Sequence, residues 1–229
     1  MKDFDIHALD SLEPGDDKAD KAFERYRRSL VNSFCASPEG QAHILKYGSA
    51  GFWAGCLLDY GFNHEGVTLP NMTASNLEEI VSGYFPRKVS LGSPEEAEEA
   101  IPELIAFWEF LGREFALDAA QSALRYLGEI QPSFTALMND SSRFGMAKSL
   151  IMQGQAAGFD MADQNQMNAF IAAYNERVAA EQGGSPAAPL PALGRLDENP
   201  RVKRNQARRL KKRISGISIS KKKPRKKRR

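Results

Sequence analysis

Few of the residues that usually announce chemistry occur in this chain of 229 residues. There are two cysteines, three histidines, and no G-x-S-x-G, H-E-x-x-H, G-x-G-x-x-G or P-loop pattern. Cys35 and Cys56 allow one bridge at most, and a chain of this size needs no such staple, so reduced thiols are expected. No run of eighteen apolar residues is present to cross a bilayer. The opening MKDFDIHALDSLEPGDD lacks the basic flank and apolar centre of a secretory signal, so a cytoplasmic location is expected.

Metal and nucleophile chemistry find little support. Cys35 with His43, and Cys56 with His64, lie eight residues apart. Structural zinc uses pairs much closer in sequence, and eight residues along a helix turn two side chains roughly 80° apart. No metal and no cofactor is expected. A cysteine nucleophile would need a base and an oxyanion site, for which His43 and His64 are the only hints. The glutamates between Glu95 and Glu103 read as a solvated cap matched to a helix dipole rather than as an acid–base pair. Enzymatic activity is therefore not expected. The least implausible pocket gathers Trp53, Asp59, His64 and Arg87, with Glu65 beside His64; a loop closing the bundle is the competing reading.

Strand alternation is also missing, and helical spacing takes its place. Phe23, Tyr26, Leu30 and Phe34 mark a first helix, and Ser37-Pro38-Glu39 caps a second, running to about Tyr47. Gly48, Gly51 and Gly55 interrupt an apolar run from Phe52 to Tyr60, where close helix packing is expected. Residues 61–73 read as a loop. Ser75 and Glu78 suggest a capping box for a short helix that stops at Phe85-Pro86, followed by an extended segment from Arg87 to Ser90. Ser93 with Glu96 suggests a second box, opening the longest helix, which Pro102 should kink or split. Beyond it Leu104, Phe107, Trp108, Leu111 and Phe115 form the thickest apolar stripe, which predicts the central helix. Asp118 caps another, a short one follows from Ser133, one ends at Gly158, and the last begins near Asp163. The fold class is all-α: a helical bundle or orthogonal array of about seven to nine helices with a disordered basic C-terminal tail.

The organisation reads as a flexible segment (1–20), a helical domain (21–182), a Pro/Gly/Ala-rich linker (183–200) and a basic tail (201–229). Pro186, Pro189, Pro191 and Pro200 make the linker a semi-rigid spacer. The tail carries Arg201, Lys203, Arg204, Arg208, Arg209, Lys211, Lys212, Arg213, Lys221, Lys222, Lys223, Arg225, Lys226, Lys227, Arg228 and Arg229, and no acid. Taking those sixteen charges from the net +2 leaves residues 1–200 at −14. So basic a run binds polyanions through released counterions. Nucleic acid is favoured over a membrane surface, because a surface helix needs a bulky apolar stripe and this run has no aromatic. The same lack argues against base stacking, so nonspecific phosphate contact, with RNA the favoured partner, is the leading expectation. The alternative is an adaptor whose acidic domain holds a basic protein partner, with the tail as internal competitor or solubility arm.

The segments WAGCLLDYGFNHEGVTLPNMT, NLEEIVSGYFPRKVS, AIPELIAFWEFLGREF, FGMAKSLIMQGQAAGFDM and MNAFIAAYN together resemble a family of uncharacterised bacterial helical proteins, seen in cyanobacteria among others. The likeness spans most of residues 35–180. It implies a bacterial cell and brings no activity or catalytic residues. In that setting KKKPRKKRR is a nucleic-acid or ribosome contact; in a eukaryote the same run would read as a nuclear import signal.

Overall fold

The computed structural model describes residues 4–181, with side chains through residue 177. The linker and tail expectations therefore lie outside the described residues. Within them the chain is all-helical, with no strand and no helix long and apolar enough to cross a membrane. The α-helices are α1 (Asp17–Ala36), α2 (Pro38–Tyr47), α3 (Phe52–Asp59), α4 (Ala74–Glu78), α5 (Phe85–Lys88), α6 (Ala100–Phe115), α7 (Ala119–Asn139), α8 (Met146–Ala156) and α9 (Gln164–Glu181).

The first helix buries the stripe that its spacing predicts: Phe23, Tyr26, Leu30 and Phe34 all face inward. It ends where Ser37 turns extended, and the Ser37 hydroxyl then accepts the Gly40 N–H at 3.1 Å to cap α2. Residue 40 must be glycine, because a Cβ there would run into the Phe34 carbonyl. The helix carrying the thickest apolar stripe is central, as its sequence predicts. Helix α6 buries Leu104, Phe107, Trp108 and Leu111 and packs against α2, α3 and α7. The split expected near Pro102 is also found. A 3-10 turn (Pro94–Glu99) becomes α-helix at Ala100, which leaves Pro102 in a first turn where its missing N–H has no helical acceptor to satisfy.

Other boundaries depart from expectation, each for a local reason. Residues 4–12 pack rather than fray: Ile6 and Leu9 are buried, the Tyr26 hydroxyl donates to the Ile6 carbonyl, and the Phe4 ring meets Tyr26 and Phe115. The capping box of α4 is made by Thr73 and Asn76, not by Ser75 and Glu78. Asn76 Oδ1 accepts the Thr73 N–H, and the Thr73 hydroxyl accepts the Asn76 N–H. Ser93 makes no cap bond: its hydroxyl bonds the Glu95 carboxylate, and Glu96 accepts the Gly92 N–H. Asp118 likewise makes none. The two helices expected on either side of residue 130 form one, α7, with Pro132 inside it. Pro132 frees the carbonyl of Gly128, and both residues are exposed, so water can take the lost partner's place. Gly158, at φ +85°, closes α8 as expected, with the Phe159 N–H returning to the Gly154 carbonyl at 3.0 Å. The last helix is capped by Asp163, which accepts from the Asn165 and Gln166 amides.

One departure is electrostatic. Glu103, read as solvated, is only 2% exposed, and its Oε1 accepts the Ala54 N–H at 2.8 Å. The amides of Gly51 and Trp53 also reach the carboxylate. Helix α3 begins after Gly51, a left-handed residue at φ +102° with no side chain to cap it, so a carboxylate from α6 does the capping. Burial still outweighs those bonds and pushes the carboxyl up to about 7. A carboxyl with a raised folded value contributes stability that is fully present below about 4.5 and lost as pH rises through about 7, a loss of about 3 kcal/mol for a shift of this size. Glu103→Gln should remove that slope. Denaturant midpoints at pH 4.5, 6 and 8 should show the parent losing stability across the series relative to the variant; parallel profiles would refute the assignment.

Candidate functional site

Two π-helical turns bring a mixed aromatic and charged cluster to one place. Helix α3 runs on into a π-turn at Tyr60–Glu65, and α4 passes through another at Glu79–Tyr84 before becoming α5. The two turns pack on each other. Such turns are rare and frequent at functional sites, because one extra residue per turn re-aims the side chains that follow.

The second π-turn explains why the helix does not stop at Phe85-Pro86, as expected from sequence. In an α-helix the proline ring would strike the carbonyl four residues back. Here the Phe85 N–H bonds to Ile80 five residues back, and Pro86 enters as the second residue of a fresh α-turn, where no N–H is required. Arg87 and Lys88 are therefore helical, and the chain turns extended at Val89. Lys88 lands one turn after Tyr84 on the same helical face.

The resulting geometry centres on two tyrosines. Tyr60 and Tyr84 stack with centroids 5.6 Å apart and planes within 3°. The His64 ring lies 5.1 Å from Tyr60 and 5.5 Å from Tyr84. Lys88 Nζ sits 5.9 and 5.6 Å from the same two rings, within cation–π reach of each. The Tyr84 hydroxyl donates to Glu65 Oε1 at 2.9 Å. Cation, imidazole, carboxylate and paired π-faces thus share one partly buried surface.

Of the four residues expected to form a pocket, His64 alone belongs to this cluster. Trp53 is fully buried in the core between Phe85 and Phe134. Asp59 is half-buried and accepts the Asn63 side-chain amide at 2.7 Å. Arg87 is exposed, and its carbonyl accepts the Gly145 N–H at 2.8 Å. Glu65 beside His64, and Lys88 beside Arg87 as a basic pair, are legible in the sequence; the stacking of Tyr60 on Tyr84 is not. The signal joining Tyr84 to Lys88 was their i, i+4 spacing, which a proline between them hid.

Elsewhere the titratable groups are committed to structure. Lys148 is 3% exposed, and its Nζ donates to the carbonyls of Pro86 (3.0 Å) and Met138 (3.1 Å) while lying 4.2 Å from the Phe144 ring centroid. Burial pulls this ammonium down to about 8. His43 is buried against Tyr47, its Nε2 has no hydrogen-bond partner, and burial lowers its basicity. Cys35 donates to the Ala50 carbonyl at 3.4 Å, and burial raises its pKa; Cys56 is pushed up to about 12 by burial and then by the negative charges of Asp59 and Glu103. Among the described residues no three His, Cys, Asp or Glu side chains are placed to hold a metal ion. No family model, curated protein or solved structure matches the chain.

Two measurements check this account. Tyr84→Phe keeps the stacked ring and removes the bond to Glu65, so it should cost about 1 kcal/mol of stability; a denaturant midpoint equal to that of the parent would show the bond to be idle. Both thiols should resist iodoacetamide at pH 8 and become reactive in denaturant, since little thiolate is available in the fold. Rapid labelling of Cys56 in the native protein would contradict the burial that suppresses it.

Proposed function

We propose that this protein is a non-enzymatic helical module held on nucleic acid by phosphate contacts from residues 201–229. One observation carries the reading: sixteen cations and no acid in twenty-nine residues, attached to a body at −14. Opposite signs on separate parts of one chain favour attraction of a polyanion to the cationic part and its exclusion from the other. The lack of any aromatic among residues 201–229 fits contact with phosphates rather than bases. A non-enzymatic role for the body is supported by the way three strongly perturbed groups, Glu103, Lys148 and Cys56, are tied up in capping and burial.

If about eight of the cations engage a duplex, log K should fall against log salt with a slope near −7. Removing residues 201–229 should abolish the salt-sensitive binding of duplex DNA and of single-stranded RNA alike, and leave the helical circular dichroism of the body nearly unchanged. Equal retention of the full chain and the truncated form on either polymer at low salt would defeat the proposal.

A further inference from the structure

The last described helices form a unit of their own. Leu150, Met161 and Phe170 make a second apolar cluster, joined by Ile151, Phe159, Met167, Ile171 and Tyr174, and it shares no residue with the main core. Ring contacts of 5.5 Å between Phe159 and Phe170, and of 6.1 Å between Phe170 and Tyr174, hold it together. The connection between α8 and α9 is built locally as well. Gly158 takes the left-handed conformation, and Gly154 leaves the space that Met161 fills. The buried core of the bundle, for its part, ends in sequence at Met138 and closes without this hairpin.

What joins the hairpin to the bundle is polar and small. Among the described residues three hydrogen bonds cross: the Gly145 N–H to the Arg87 carbonyl, and Lys148 Nζ to the carbonyls of Pro86 and Met138. All three acceptors lie at the C-terminal ends of α5 and α7, where carbonyls have lost their helical partners. Segments held by few apolar contacts open at lower free energy than the core they lean on. We propose that residues 145–177 form a hinged hairpin that opens from the bundle as a unit, with Lys148 as the latch and the segment from Ser141 to Gly145 as the hinge.

The hinge has the right materials. Ser141–Arg143 is a single 3-10 turn, held by its own Asp140, which accepts from the Ser142 amide and pairs with Arg143. None of those contacts reaches the bundle core, so they persist whether the hairpin is closed or open. Closure instead requires Gly145 to lie flat on Arg87, where an added Cβ would come within 2.8 Å of the Arg87 carbonyl oxygen.

Native-state hydrogen exchange on the full chain tests the device. Amides of residues 150–156 and 166–176 should share one opening constant at least tenfold larger than that of the α6 amides between Leu104 and Leu111. Lys148→Met, which keeps an apolar stem and strands two buried carbonyls, should enlarge the hairpin constant by about another tenfold and leave α6 unchanged. Gly145→Ala should act in the same direction without touching the latch. A single opening constant for hairpin and α6 in the parent would overturn the proposal. So would a Lys148→Met variant that leaves hairpin exchange unaltered, or one that speeds both regions equally.

Discussion

A protein made of short helices has many helix ends, and any end that falls inside must find a partner or cost stability. This chain meets the demand with two buried charges of opposite sign. Glu103 takes the amides at the start of α3, and Lys148 takes carbonyls at the ends of α5 and α7. Each sign is the one the helix dipole favours: an anion at an N-terminus, a cation at a C-terminus. Neither charge has an opposite charge as its hydrogen-bond partner; the hydrogen bonds holding both come from the backbone, with the Phe144 ring beside Lys148. That arrangement explains why burial dominates both shifts, raising the carboxyl and lowering the ammonium.

The same constraint shapes the aromatic cluster. A proline at position 86 forbids a continuous α-helix through residues 74–88, yet the chain needs Phe85 inside, where it meets Trp53 and Tyr60. The π-turn resolves the conflict by passing one hydrogen bond over an extra residue. Its by-product is the placement of Lys88 over the stacked tyrosines. The turn at Tyr60–Glu65 supplies the other half, ending at Gly66, whose φ of +67° suits glycine. Sequence features that look like interruptions therefore build the most chemically varied surface of the body.

Much of the helical frame was legible in the sequence. The stripes on α1 and α6, the Ser37 cap, the Gly158 stop and the Asp163 start all follow from spacing and local backbone chemistry, and the structure places them where those rules put them. The misses share a cause. Pro86 reads as a break because the rule assumes uniform α-geometry around the ring, whereas a π-turn relieves it; the new helix expected at Ser133 instead continues α7 through an exposed Pro132. Glu103 groups in sequence with Glu95 to Glu99, but it lies inside α6 against the start of α3, a tertiary contact that no local pattern shows. Which of two neighbouring cations, Arg87 or Lys88, meets His64 depends on the helical register past Pro86. No local pattern encodes that register.

The distribution of perturbed groups has a consequence for function. Chemistry at neutral pH needs titratable groups displaced from their usual values and open to a substrate. Here three strongly displaced groups face inward. Glu103 and Lys148 cap helices, and Cys56 is suppressed by burial with two acids nearby. The body thus spends its unusual electrostatics on holding itself together, while its remaining charges lie at the surface with a strong acidic excess. A surface of that sign repels phosphates, so the proposed attraction to a polyanion rests on residues 201–229, which carry no acid.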